Sequence, residues 1–195
     1  MATHSNRLVT LVLLGWLCLA VGVAGWFHNA SAPAVAAIVW TLTALVLLAC
    51  WKITPIRVWA LNVDVRWLLL LHLTRLPAGV YFLLLCERGQ LPCAFARPAG
   101  WGDMIVAFLA LVVVVLMWAP FAKALLLIWN SIGLIDIIFV VFSALRFGLK
   151  DRQSMHALRE LPFSLLPTFL VPLIIASHVL IFVRLGRGEQ ARSNH

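Results

Sequence analysis

Uninterrupted apolar stretches of about 20 residues recur along this chain, and they restrict it to one kind of environment. Runs such as Leu109 to Trp118 and Leu68 to Leu71 do not alternate apolar with polar side chains. That pattern excludes the strands of a transmembrane barrel. In a bilayer every backbone N–H and C=O must be satisfied internally, which leaves the helix. With 64% hydrophobic and 11% charged residues, the 195-residue chain holds more apolar material than a soluble domain could cover. The expected fold is all-α: a polytopic transmembrane helical bundle, one integral membrane domain over 1–195, with about six spanning helices and short loops. The spans are expected near 8–27, 34–51, 67–86, 103–120, 124–145 and 162–183.

The segments between the spans carry their own signals. Leu8 to Phe27 followed by Ala30-Ser31-Ala32 has the outline of a secretory leader. Its apolar stretch exceeds the roughly 7–15 residues of a cleaved signal, and Pro33 follows the would-be cut, so we read an uncleaved first span. Asn29-Ala30-Ser31 matches a glycosylation sequon but lies in a small loop against the membrane, and we read it as chance. Lys52 to Arg66 suits an interfacial helix or an extension of the third span, with Thr54-Pro55 as cap and first helical residue. Glu87 to Gly102, rich in Gly and Pro, reads as the longest irregular loop, and Phe121-Ala122-Lys123 as a tight turn. Phe147 to Glu160 reads as one amphipathic surface segment, and Arg184 to His195 as a polar tail.

A net charge of +8 could suggest nucleic acid, but the basic residues are scattered among short loops. There they set topology and meet lipid headgroups, so the expected partner is the bilayer and no nucleic acid. Lys and Arg are more numerous on the side of the two termini, which places both termini in the cytoplasm and the protein in the cell membrane. The four cysteines lack metal-type spacing, and no metal is expected. Cys86 and Cys93 flank one loop and could pair in an oxidising compartment, yet all four read more simply as apolar fillers or free thiols. No internal repeat of the kind that builds many transporters is visible.

Polar groups inside a bilayer are costly and normally face the bundle interior with a partner. The candidates are His72, Arg75, Asn130, Asp136 and His178, with Asp103 at the outer mouth or as a helix cap. At about 1.5 Å of rise per residue, Arg75 and Asp136 fall at the middle of their spans, at nearly one level. His72 lies a turn from Arg75 on the same face, with Gly79 and Phe82 continuing that stripe. Trp129, Gly133, Asp136 and Ser143 form a similar stripe, and His178 is placed near the depth of His72. Two readings follow. Arg75 and Asp136 are a packing ion pair with the histidines bonded to backbone carbonyls, or the residues line a ligand or ion pathway.

The pathway reading favours transport or binding of a proton, ion or small solute by a homo-oligomer. The alternative is an accessory subunit of a larger membrane complex. No cofactor is expected on this reading. His72 and His178, on different helices at one depth, are the pair a b-type haem would need as axial ligands, although such cytochromes usually display more histidines. Gly100-Trp101-Gly102-Asp103 resembles the Gly-x-Gly-Asp motif of the intramembrane aspartyl proteases, and the resemblance implies Asp136 as the second aspartate. It covers four residues. No Tyr-Asp precedes it, the aspartates come in reverse order, and no Pro-Ala-Leu follows. With Asp103 near the outer surface and Asp136 central, the two would stand too far apart to share a proton. The glycines then read as a turn and Asp103 as a helix cap.

Overall fold

Several breaks between the helices of this chain fall beside prolines. The computed structural model describes residues 2–193. Helix α1 (Ala2–Gly22) is followed by the single turn α2 (Ala24–Phe27), so the first expected span is interrupted at Val23. Helix α3 (Ala32–Lys52) starts where Ser31 accepts from the Ala34 N–H at 3.3 Å, with Pro33 in its first turn. The sequon serine is therefore a cap. Helix α4 (Thr54–Asn62) is separate, and its N-cap is Ile53 rather than Thr54.

Asp64 caps α5 (Val65–Leu71), which passes through a 3₁₀ turn at His72–Thr74 into α6 (Arg75–Glu87). Pro77 has no N–H for the Leu73 carbonyl and its ring crowds that carbonyl, so the ladder tightens there. Helices α7 (Cys93–Val115) and α8 (Ala122–Lys150) follow, then a 3₁₀ turn at Gln153–Arg159, a π turn at Leu166–Leu170, and α9 (Val171–Ser193). Pro172 likewise offers nothing to the Thr168 carbonyl, which lies in the widened π turn.

Several expected boundaries move. Helix α7 begins at Cys93, so most of the expected loop is helix, with Pro98, Gly100 and Gly102 inside it. Gly and Pro lower helix propensity in water, but a membrane-embedded helix tolerates them because neighbours and the ban on unsatisfied backbone hold it. Helix α8 absorbs Phe147 to Lys150 of the expected surface segment. Helix α9 runs past 183 through most of the expected tail, and Asn194 and His195 lie outside the described residues. Cys86 and Cys93 are disulfide-bonded across the α6–α7 turn, which corrects the free-thiol reading for that pair, while Cys18 and Cys50 are free.

Among the described residues there is no strand. Five helices are long and apolar enough to cross a membrane: Ala32–Lys52, Val65–Glu87, Cys93–Val115, Ala122–Lys150 and Leu166–Arg187. The apolar stretch Asn6–Gly22 of α1 is shorter. Helix α6 packs along α7, α7 along α8, and α8 and α3 along α9. Large apolar side chains such as Ile135, Phe108 and Trp118 point outward, as they do where lipid is the solvent. One apolar core, with Phe82, Leu85, Phe95 and Val140, lies toward the disulfide. A second, with Leu69, Val106, Leu126 and Ile181, lies toward the other end. Arg75, Asp103 and Asp136 fall between these cores along α6, α7 and α8.

Candidate functional site

Arg75 is 1% exposed and is held from three directions. Its Nε donates to Asp103 Oδ1 at 2.7 Å, one terminal nitrogen to Asp136 Oδ2, and the other to the Gly133 carbonyl at 3.3 Å. The Asp103 side chain is 5% exposed and that of Asp136 16%, so only Asp136 reaches outward. Asp103 is thus neither at an outer mouth nor a cap, because α7 begins ahead of it and Pro92 holds the N-cap position.

Glycines make this approach possible. A Cβ on Gly79 would lie 2.5 Å from the Gly100 carbonyl oxygen, and one on Gly100 would lie 2.7 Å from the Gly79 carbonyl oxygen. Helices α6 and α7 therefore meet backbone to backbone, the packing small residues allow in membranes. A Cβ on Gly102 would collide with the Asp136 carboxylate. The four residues that resemble the protease motif therefore have a different use here: Gly100 seats α6, Gly102 makes room for Asp136, and Asp103 holds Arg75.

The two histidines adjoin the triad. His72 and His178 are fully buried, with ring centroids 4.3 Å apart. Their partners are side chains rather than the expected carbonyls: His72 Nε2 meets Ser177 Oγ at 3.0 Å, and His178 Nδ1 meets Asn130 Oδ1 at 2.8 Å. Ser177 donates its hydroxyl to the Ile174 carbonyl, so His72 Nε2–H is the donor to Ser177. Asn130 donates its amide to the His178 carbonyl at 3.0 Å, so its Oδ1 accepts from His178 Nδ1–H. In neutral rings this leaves lone pairs on His72 Nδ1 and His178 Nε2, both buried and without a hydrogen-bond partner. The Trp129 ring packs 4.8 Å from His72 and 5.5 Å from His178, its N–H donating to the Val106 carbonyl. His178 lies against Gly133, where a Cβ would meet its ring, and the Gly133 carbonyl accepts from Arg75. The triad and the histidines are one contiguous cluster.

Neither Ser177 nor the clearance role of Gly102 stands out in the sequence. The pair Ser177-His178 was the available signal for the first. Arg75 and Asp103 line a largely apolar cavity of about 110 Å³, whereas His72 is packed away from it. The histidine rings touch one another, which leaves no gap for a porphyrin between them, so this arrangement does not fit a haem ligand pair. Among the described residues no group of three or more His, Cys, Asp or Glu could hold a metal. Asp103 and Asp136 are brought together, against the expected separation, but by a guanidinium that binds both. A protease dyad needs its carboxylates to share a proton instead.

Fold and site define a helical membrane protein that buries an Asp–Arg–Asp triad beside a histidine pair. The family described as a domain of unknown function, DUF8737, matches residues 32–186, and the chain belongs to it. The match opens at the first residue of α3 and takes in the apolar helices up to the last turn of the fifth. No curated protein and no solved structure matches the chain.

Proposed function

We propose that this protein binds protons at the Asp103–Arg75–Asp136 triad and passes them through the membrane interior. One observation carries the reading: two carboxylates share one buried guanidinium inside the spanning helices. With both carboxylates ionised the triad has a net charge of −1, and with one proton it has none. Uncompensated charge at that depth costs several kcal/mol, so the triad has room for one small positive charge. The bare lone pairs of His72 and His178 add acceptors alongside it. The basic-residue bias favours both termini in the cytoplasm of a cell membrane, an orientation that requires α1 to cross as a sixth span. The Cys86–Cys93 disulfide supports this orientation, because such bonds persist where the surroundings are oxidising.

The test is proton flux into proteoliposomes carrying a trapped pH dye, under an imposed membrane potential. Wild-type protein should acidify the lumen faster than protein-free vesicles. Asp103→Asn and Asp136→Asn should abolish the difference while the protein stays folded. A wild-type rate equal to that of empty vesicles, with no titrating carboxyl band in infrared difference spectra, overturns the reading. Flux that follows sodium or potassium rather than pH would assign the site to a metal cation.

A further inference from the structure

The same cavity has a second end, and its chemistry differs from that of the triad. It runs between α3 and α8, past Val35, Val39, Val141 and Ala144, from Arg75 and Asp103 to Arg152 and Arg159. From Ile137 to Gly148 on α8 it extends about 16 Å at 1.5 Å per residue. That is about half of a 30 Å hydrocarbon core, the depth of a single leaflet. Its lining is apolar along most of this length, with charged side chains only at the two ends.

Two arginines stand at its mouth, and among the described residues no carboxylate pairs with either. Arg159 is buried, yet among the described residues it donates only to the Ala30 carbonyl at 2.9 Å and to the Arg152 carbonyl, while Arg152 donates to the Asn29 carbonyl. Each guanidinium has five N–H groups, and most of them bond to no described residue. The buried Nε of Arg159 has no partner. The nearby acids are engaged elsewhere: Asp151 accepts from the Gln153 N–H, and Glu160 faces His156. Burial, and then the charge of Arg152, lowers the Arg159 pKa from the usual arginine value. An anion at this point would relieve both effects.

We infer that this cleft holds one acyl chain of an anionic phospholipid, whose phosphate is bound by Arg152 and Arg159. The assignment does not depend on the role proposed for the triad. The paired arginines supply the donors a phosphate needs, and the apolar channel beneath them takes the chain. General attraction of basic loops to anionic membranes lacks that second requirement.

The test uses the full chain in mild detergent, with equal amounts of phosphatidylglycerol and phosphatidylcholine bearing the same chains. Lipid retained by the protein is counted by native mass spectrometry. Wild type should keep one phosphatidylglycerol per chain, about tenfold over phosphatidylcholine, and Arg152→Gln should reduce that preference about tenfold. Ala36→Phe, which fills the cleft and leaves both arginines intact, should cause an equal loss. Arg159→Gln should behave as Arg152→Gln does. Because Arg159 also anchors Ala30 and its variant can misfold, the other two variants decide the matter. Equal retention of the two lipids, an unchanged preference in Ala36→Phe, or displacement by glycerol phosphate overturns the inference.

Discussion

The carboxylate of Asp136 occupies the space that a side chain on Gly102 would need. A backbone position on α7 thereby governs whether a charge on α8 reaches its partner on α6. Gly102→Ala should push Asp136 off Arg75 and cost about 1–3 kcal/mol, the range for overpacking. Gly79→Ala should cost at least as much, since its methyl meets a carbonyl rather than a movable side chain. Thermal unfolding in detergent checks both. Wild-type stability in Gly102→Ala would show that Asp136 has another place to go.

Arg75 has two partners, and this changes what substitution should do. Arg75→Leu strands two carboxylates, and should lose about 3–5 kcal/mol or fail to accumulate. Removing Asp136 as well leaves Asp103 unpaired in its nearly closed site, so the double variant should stay impaired. Only the triple variant, with Arg75, Asp103 and Asp136 all replaced by Leu, should regain much of the stability. Full recovery in the double variant would show that Asp103 does not depend on Arg75.

Asn130→Ala removes the acceptor for His178 Nδ1–H and the donor to the His178 carbonyl together. Loss of buried hydrogen-bond partners should cost about 1–3 kcal/mol. The histidine ring would also lose its fixed tautomer, and nitrogen-15 shifts of labelled histidine report this directly. Unchanged shifts would mean that packing against Trp129 alone orients the ring.

The disulfide makes a simple labelling experiment informative. An impermeant maleimide should leave Cys86 and Cys93 unmodified on intact cells, and label them there after an impermeant reductant. Labelling without reduction would show free thiols. Labelling that requires both reductant and broken membranes would invert the orientation.

Much of the fold was legible because each apolar run declares its own helix, whatever its neighbours do. The level match of Arg75 and Asp136 was legible too, since rise per residue turns position into depth. The burial of Asp103 was not. Pro98, Gly100 and Gly102 argue locally for a loop, and their helical state depends on a bilayer that forbids unpaired backbone and on α6 lying flush against them. The 3₁₀ turn at His72–Thr74 falls ahead of Pro77 because the displaced partner is the Leu73 carbonyl.

By itself the sequence determined that the chain is a helical membrane protein and that Arg75, Asp136 and two histidines sit within its spans. Run length and cost of burial are properties of single segments, and they can be read without a partner. Only the tertiary structure decided that Asp103 joins Arg75 and Asp136, and that the histidines face Ser177 and Asn130. It also decided that a cleft leads from the triad to Arg152 and Arg159. Those relationships depend on which helix faces meet and how closely, and here closeness is set by glycines whose effect appears only when two backbones touch.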